Sequence, residues 1–402
     1  MKKLMTLGLA ILAFSLWAGN SIFSYYGYPV QFYGRDVYSM GMGDSGASDI
    51  FRYNTGYTNP AQTNRDNKSL FGTGIIAGYT NYKSEYQGTE RSFRDDALDF
   101  PYFSVSVPVK KHRIGFQYNS YASGVVNNQY AYPDSTIERQ ESDKYIFRTD
   151  LIYTFSYKNL NLGISGNYYF GHDKRTFEQT SATNTVPTRE SLLRSFKNPT
   201  LSFGALSSFD KHSVGMHLTL PVTLEGESKR SSTHTTEPAE DYTLDLPLQY
   251  AVSYTALPMP QLKVAVDANY EMYSEVDESY RDGIKLGLGL AYEPEKGQKY
   301  WYRGIPLRAG LWYRQLPFKD ARNNADIDEM AYTMGFTLPL KNEVSRVDFA
   351  LQYLSRGSLE ENKLSDRSLM FSIGITGFDI FSKAPDRTAP RDIPIAEDLQ
   401  AW

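Results

Sequence analysis

Two kinds of residue in this sequence could do chemistry: one serine in a glycine-rich stretch, and five histidines. Gly43-Asp44-Ser45-Gly46 matches the residues around the nucleophile of trypsin-like proteases. The rest of the chain shows no convincing fold for such a protease, and a tight turn explains the glycines better. Metal-binding spacings such as H-E-x-x-H are absent among the histidines, which are His112, His172, His212, His217 and His234. We therefore expect no enzymatic activity, no metal and no cofactor, and keep a lipase that pairs serine with histidine as the enzymatic alternative.

Charged side chains recur at alternate positions in several segments that are otherwise apolar. Such an alternation places the charges on the face opposite the apolar one. In a closed barrel that face lines the lumen, where the charges either bind a ligand or pair with one another and support the wall. Pairing is the simpler expectation. The residues that we expect to line the lumen are Arg148, Asp150, Lys263, Asp267, Glu271, Arg308, Arg346 and Asp348.

The segment from Lys144 to Phe170 shows the repeating unit that must position these charges. Apolar residues occupy every second position from Tyr145 to Tyr157, and again from Leu160 to Phe170. Because a strand sends alternate side chains to opposite faces, each half is a strand with one apolar and one polar face. Each strand has about 11–13 residues, more than the roughly 5–6 of a typical soluble strand. About 9–11 residues suffice for a tilted strand to cross a bilayer.

The same pattern continues over residues 68–381 and predicts about fourteen strands. Short turns at one end of a barrel and long loops at the other are typical of the outer membrane. No charged residue lies on the apolar faces. We predict an all-β fold, a transmembrane antiparallel β-barrel, with a secreted soluble sandwich as the alternative. Short connections such as Lys158-Asn159 alternate with predicted loops at 84–98, 123–142, 172–197, 225–243, 274–282, 315–328 and 355–367.

Three regions lie outside the predicted barrel. Residues 1–18 have two lysines followed by a short apolar core, the pattern of a secretory signal peptide. Residues 19–67 do not alternate and are rich in Tyr, Gly and Asn, so we predict a small plug of short helices and turns. Residues 382–402 contain several prolines and mixed charge, as a mobile periplasmic tail would.

Composition agrees with an exported membrane barrel. The chain has no cysteine, so it has no lipoprotein anchor and no disulfide. Its 32 tyrosines outnumber its 30 glycines, which suits aromatic girdles at the membrane interfaces. The formal charge of -4 gives no indication of nucleic-acid binding.

The predicted plug carries a motif that resembles the FadL-like outer-membrane transport proteins. Gly34-Arg35-Asp36 is followed by Gly41-Met42-Gly43-Asp44-Ser45-Gly46 and then by Asn59-Pro60-Ala61, just before the first strand. The PorV group of the type IX secretion system is similar in this region. The resemblance implies a monomeric barrel of about fourteen strands, closed by an N-terminal plug. It also implies a lateral opening where the third strand is kinked, and Gly115, Asn119 and Ser120 lie on the corresponding strand here.

Two departures from the family pattern qualify this resemblance. The predicted lumen is strongly polar, whereas a hydrophobic ligand needs an apolar path. The chain also continues after Phe381, the aromatic residue that would end the last strand.

The function that we expect is passive uptake of small hydrophobic molecules, such as long-chain fatty acids, through a plugged barrel in the outer membrane. Gly41, Gly43, Asn59, Pro60 and Ala61 are expected to hold the plug in place. The alternative is a PorV-like barrel that binds or shuttles secreted proteins. The aromatic residues that could contact the ligand, or pack the plug against the wall, are Tyr25, Tyr26, Tyr28, Phe32 and Tyr33.

Overall fold

The computed structural model describes residues 21–24, 30–31, 36–54, 58–62, 68–86, 88–132, 135–181, 186–295, 300–320, 323–340 and 345–377. The predicted signal peptide, the predicted tail and Phe381 lie outside the described residues. The strands, in chain order, are β1 (Val30–Gln31), β2 (Leu70–Tyr86), β3 (Thr89–Asp99), β4 (Tyr102–Val109), β5 (His112–Ala131), β6 (Ile137–Tyr157), β7 (Leu160–Thr180), β8 (Thr188–Phe209), β9 (His212–Thr219), β10 (Val222–Ser232), β11 (Glu240–Leu246), β12 (Gln249–Met259), β13 (Leu262–Glu271), β14 (Gly283–Tyr292), β15 (Leu307–Gln315), β16 (Asp328–Pro339), β17 (Arg346–Arg356) and β18 (Leu364–Thr376).

These strands form one closed antiparallel barrel with fourteen wall strands. Three wall strands are interrupted and consist of two segments each, β3 with β4, β9 with β10, and β11 with β12. The short β1 is not a wall strand of its own. Because β18 pairs with β2, the barrel closes. The start of β2 and the end of β18 both lie at the short-turn end of the barrel. The predicted fold class and strand number are confirmed.

The apolar faces of the wall strands point outward. Leu151 is 64% exposed, whereas the side chain of its neighbour Asp150 is 1% exposed and lies inside. The same contrast separates outward Leu288 from buried Lys285. A soluble sandwich would instead bury its apolar rows in a dry core, so that alternative is wrong.

Four of the predicted loops are wrong, because they are largely strand. The stretches 84–98, 123–142, 172–197 and 225–243 contain most of β3, the far halves of β5 to β8, and most of β10 and β11. Both faces of these parts are rich in polar side chains, so an apolar alternation does not reveal them. Their ladder hydrogen bonds nevertheless continue, since β6 and β7 pair without interruption from Ile137 to Tyr157.

Two prolines reverse the facing of apolar side chains that the sequence assigns to the lipid face. Leu224 and Leu246 are in fact buried inside the barrel, while Met216 and Val252 on the adjoining segments point outward. The wall strands break at Pro221 and at Pro247, where no N–H is available for the ladder. Because side chains alternate with a period of two, the register slip at each break exchanges the inner and outer faces.

The N-terminal region folds into the barrel interior. Helix α1 (Val37–Met40) is a single turn whose N-cap, Asp36, accepts a hydrogen bond from the Ser39 amide at 3.0 Å. We call residues 36–54 and 58–62 the plug. No helix in the described part of the chain is long and apolar enough to cross a membrane.

Candidate functional site

The first half of the plug rests on wall glycines. Gly43 has a positive φ of 63°, and the backbone around it lies directly against Gly287, Gly289 and Gly310 of β14 and β15. A Cβ at Gly310 would overlap the Gly43 amide nitrogen. Gly41 contacts Gly335 on the next strand in a similar way. The absence of side chains on the wall therefore allows direct contact between the plug backbone and the sheet.

The Asn59-Pro60-Ala61 motif is fixed to the opposite side of the wall. The Asn59 amide donates to the Met216 carbonyl at 3.1 Å, and Thr154 donates to the Pro60 carbonyl at 2.7 Å. Gly163 and Gly204 provide the space, because a Cβ on either residue would overlap the motif. The plug thus spans the lumen between two glycine-lined faces.

Buried charges surround Tyr38 between these two faces, and we call this group the charge cluster. Four cationic groups lie over or beside the Tyr38 ring, with centroid distances of 4.2 Å for Arg52, 5.3 Å for Lys263, 4.1 Å for Arg308 and 5.0 Å for Arg346. Such contacts are favourable when they are desolvated. The plug is therefore held by the wall through charge as well as shape.

Carboxylates of the charge cluster neutralise these cations. Arg52 pairs with Asp36 at 2.5 Å, and Lys263 pairs with Asp49 at 3.0 Å. Asp348 forms an ion pair with Arg346 at 2.9 Å. Arg308 also pairs with Asp348, at 3.3 Å, and Lys263 reaches Glu293 at 2.9 Å.

The protonation states of the plug residues follow from these pairs. Burial alone would raise the pKa of Asp36, but the Arg52 guanidinium beside it holds that pKa well below its usual range. Burial raises the pKa of the Tyr38 hydroxyl to about 12. The carboxylate is thus ionised and the phenol neutral at physiological pH.

The Gly-Asp-Ser-Gly stretch forms a structural turn. The Ser45 hydroxyl is buried and donates to the Met42 carbonyl at 2.6 Å, while Asp44 forms an ion pair with Lys285. Asp267 accepts a hydrogen bond from the Ala47 amide at 3.0 Å. Among the described residues, no group of three His, Cys, Asp or Glu side chains could hold a metal ion.

The wall of the barrel is interrupted between β3 and β5, and we call this interruption the wall gap. In the described chain, β3 pairs only with β2, whereas β4 pairs with β5 as far as Asn119. The Ser120 amide closes the lower end by donating to the Pro101 carbonyl at 3.0 Å. At the upper end, Arg91 donates to the Tyr130 hydroxyl at 3.1 Å. Between these points, among the described residues, only β1 pairs with this edge of β5. The paired residues are Val30 with Ser123 and Gln31 with Ala122.

A β-bulge lies at the lower end of the wall gap. Ser120 is opposite Phe147 and Ala122 is opposite Ile146, so Tyr121 is an extra residue in β5. Such a bulge bends the strand and redirects its side chains. Tyr121 is buried and contacts the edge of the Tyr169 ring at a centroid distance of 5.0 Å. The irregularity that the resemblance implies for the third strand is therefore present, one residue beyond Ser120.

The lumen beside this bulge is apolar, in contrast to the charge cluster. We call this surface the apolar patch; it consists of Tyr121, Ala122, Ile146, Tyr169, Phe196, Leu224 and Leu246. Sequence reasoning missed it because Phe196 falls in a predicted loop and because the two leucines change face at the prolines. Ile146 lies between Lys144 and Arg148 on the same face of the strand, and this position was the signal in the sequence that Ile146 faces the lumen.

A polar cavity adjoins the apolar patch. It has an empty volume of about 500 Å³, including its solvent-open part. Arg148 and Glu271 provide one charge of each sign, and Arg148 is fixed by Asp150 at 2.9 Å. Asp150 also accepts from the Asn167 amide at 2.6 Å. The residues that line the cavity are Thr58, Asn119, Tyr121, Arg148, His217, Thr219, Gln249, Tyr250, Asn269, Tyr270 and Glu271.

The eight charged residues predicted to line the lumen divide into three groups. Lys263, Arg308, Arg346 and Asp348 belong to the charge cluster, and Asp267 binds the plug. Arg148 and Glu271 line the polar cavity, with Asp150 behind Arg148. Their pairing agrees with a supporting role for most of them. The predicted ligand residues Tyr25, Tyr26, Tyr28, Phe32 and Tyr33 lie outside the described residues.

Comparison with known proteins gives one family match and several structural relatives. A family model described as BamG matches residues 259–381, less than a third of the chain. No curated protein sequence matches. The Pseudomonas putida toluene transporter TodX is similar with a TM-score of 0.60 and 13% identity, over 87% of this chain and 98% of TodX.

Two further solved structures agree with this result. The CymD monoaromatic hydrocarbon channel is similar with a TM-score of 0.58 and 14% identity, over 87% of this chain and 98% of CymD. The Ralstonia pickettii toluene transporter TbuX gives a TM-score of 0.58 and 13% identity, over 85% of this chain and 97% of TbuX. These relatives are channels and transporters. The chain therefore has the fold of the FadL-type hydrocarbon channels, as its plug motif predicts.

Proposed function

We propose that this protein passively transports small hydrophobic molecules across the outer membrane, with the wall gap as the lateral route. The observation that carries the proposal is the position of the gap directly beside the apolar patch. A molecule that leaves the patch through the lower end of the gap, beside Ala122, passes from one apolar surface to the edge of the bilayer hydrocarbon. It avoids the charge cluster, where an apolar molecule would have to displace paired charges and gain nothing in return.

The charge cluster and the plug restrict movement along the barrel axis in this proposal. Most of the described plug is buried against the wall, so a straight path would require the plug to leave its glycine-lined seats. We propose that the plug acts as the gate, and that the chain is exported by its predicted signal peptide. The toluene and hydrocarbon substrates named for the structural relatives favour small aromatic molecules over long-chain fatty acids.

A disulfide lock tests the lateral route. Val30 and Ser123 are register partners in β1 and β5, and the native chain has no cysteine. Oxidised Val30→Cys/Ser123→Cys should fix β1 over the wall gap and abolish toluene uptake into proteoliposomes, and reduction should restore it. The control is Ala350→Cys/Ser372→Cys, a register pair between β17 and β18, which do not border the gap. Equal uptake by the oxidised and reduced lock variants would refute the route.

A partner-binding barrel is the second candidate function. The charge cluster favours it, because a lumen crossed by paired charges is a poor conduit but a stable scaffold. The match to BamG over residues 259–381 covers β13 to β18 and therefore one side of the wall. Mild affinity purification distinguishes the two functions. A stoichiometric secreted or secretion-system protein, together with no toluene uptake, would favour the scaffold.

A further inference from the structure

One sector of the short-turn end carries a concentration of lysines. Three successive hairpins, β4–β5, β6–β7 and β8–β9, turn at residues 110–111, 158–159 and 210–211. We call Lys110, Lys111, Lys158 and Lys211 the rim lysines, and all four are exposed. Asp210 is the one acidic residue in these turns, so four positive charges and one negative charge give a net charge of +3. This excludes the two adjacent histidines, His112 and His212.

The other turns at this end carry less net charge in the sequence. The β12–β13 turn, at Pro260 and Gln261, has no charged residue, and Lys341 and Glu343 cancel between β16 and β17. The β14–β15 connection has a net charge of +1, from Glu293, Glu295, Lys296, Lys299 and Arg303. The basic sector is therefore a local feature of the described rim.

Two of the rim lysines converge on one aromatic ring. The Lys111 and Lys158 ammonium groups lie 6.0 Å and 5.5 Å from the centroid of the Tyr157 ring, although they belong to different hairpins. The hairpins are neighbours because β5 pairs with β6, and the Ser156 amide donates to the Lys111 carbonyl at 2.9 Å. Two cations are thus placed together beside an exposed tyrosine, which is a suitable arrangement for a bound anion.

Matched histidine–tyrosine pairs mark the level of the membrane surface in this sector. His112 is hydrogen-bonded to the Tyr153 hydroxyl at 2.7 Å, and His212 is hydrogen-bonded to the Tyr254 hydroxyl at 2.7 Å. Both tyrosines belong to the outward face that meets lipid. Interfacial tyrosines place their rings in the apolar layer and their hydroxyls toward water. The rim lysines, immediately beyond these pairs along the chain, therefore reach the level of the lipid headgroups.

We propose that the rim lysines bind the phosphate groups of anionic phospholipids in the leaflet at the short-turn end. Charge complementarity supports this ligand, because phosphate is the anion available at that depth. Continuity with the lipid-facing surface supports it as well, since the acyl chains of a bound lipid would lie along Val109, Tyr157 and Phe209, which are all exposed. A basic site of this kind orients and retains the barrel in an anionic leaflet.

Native mass spectrometry of the full-length protein in a neutral detergent tests the proposal. Added phosphatidylglycerol should bind in preference to phosphatidylcholine. Lys111→Gln/Lys158→Gln should lower the affinity for phosphatidylglycerol roughly ten-fold and leave phosphatidylcholine binding unchanged. The control Lys174→Gln/Lys229→Gln makes the same charge change at exposed positions near the other end of the barrel, and it should bind phosphatidylglycerol like the unmodified protein.

Two outcomes would overturn the proposal: equal binding of the two lipids by the unmodified protein, or equal losses in the rim and control variants. If Lys111→Gln/Lys158→Gln fails to assemble, Lys110→Gln/Lys211→Gln replaces the other two rim lysines and should also lower the affinity for phosphatidylglycerol. If the rim lysines instead bind an acidic protein segment, the protein should bind poly-glutamate and show no preference between the two lipids.

Discussion

The Tyr38 hydroxyl donates a hydrogen bond to the Glu293 carboxylate at 2.8 Å, and so connects the plug to the chain segment that follows β14. Lys263 donates to the same carboxylate oxygen at 2.9 Å. Tyr38 thus combines a ring surrounded by cations with a hydroxyl that faces an anion. This one side chain joins the plug to β13, β15 and β17 and to the segment that follows β14.

Removal of one partner from the Asp36–Arg52 pair should release the first half of the plug. Asp36→Asn removes the closest carboxylate of the buried Arg52 and leaves it with Asp49 at 3.3 Å, so the cost is at most the roughly 3–5 kcal/mol of an uncompensated buried charge. We expect faster amide exchange over residues 36–54, with unchanged exchange in the wall strands. Asp277→Asn, at an exposed loop position, is the control and should leave the plug unchanged. Identical exchange in both variants would contradict the role given to the pair.

Docking of the plug should weaken in acid and stay constant near neutrality. Because the pKa of Asp36 is lower in the folded protein than its ordinary value of about 3.9, ionisation of Asp36 stabilises the docked plug above that ordinary value. The stabilisation is lost as the pH falls through the lowered pKa. We expect constant plug exchange from pH 5 to 8, after correction for intrinsic rates, and faster exchange below about pH 4. An acid dependence of the same size in Asp36→Asn would show that another group is responsible.

A single methyl group at the seat of the plug should displace it. Gly310→Ala places a Cβ against the Gly43 amide nitrogen, where the wall backbone cannot move aside. We expect a folded barrel whose plug is cleaved faster by added protease. Gly166→Ala is the matched control, because a Cβ at Gly166 has no neighbour within 4 Å. Equal protease sensitivity in the two variants would mean that the plug does not need this contact.

The facing of β14 can be tested with two substitutions. Leu288→Arg puts a charge on the lipid face, at a cost of about 2–4 kcal/mol near the bilayer midplane, and should block assembly into lipid vesicles. Lys285→Ala removes a lumen-facing charge that pairs with Asp44, and the barrel should still assemble. Heat-modifiable migration in gels reports assembly. Equal assembly of both variants would contradict the assignment.

Part of this structure follows from sequence because alternation is a local signal. The rows from Tyr145 to Tyr157 and from Leu160 to Phe170 lie in β6 and β7, joined at Lys158-Asn159 as expected. The charge pairs could not be predicted in the same way. Arg308 and Asp348 are 40 positions apart and meet only because β15, β16 and β17 are neighbours in the closed sheet.

The wall gap and the apolar patch could not be predicted from the sequence for a different reason. Both depend on where the ladder fails, at Pro101, Pro221 and Pro247, and on one extra residue, Tyr121. A one-residue slip exchanges the two faces of a strand, so the position of each break decides which leucines meet lipid. The proline positions are visible in the sequence, but the direction of each slip is not.

The uneven length of the wall strands gives the barrel a tall side and a low side. β6, β7 and β8 have 21, 21 and 22 residues, whereas β13 and β15 have 10 and 9. About 9–11 residues of a tilted strand cross the hydrocarbon. The far half of each long strand therefore projects beyond the bilayer, whereas the short strands end close to the bilayer surface. The upper part of the wall gap, toward Tyr130, lies beside these projecting halves, whereas its lower end at Ser120 lies near the surface of the bilayer. On that flank the sheet therefore rises above the plane of the bilayer next to the gap.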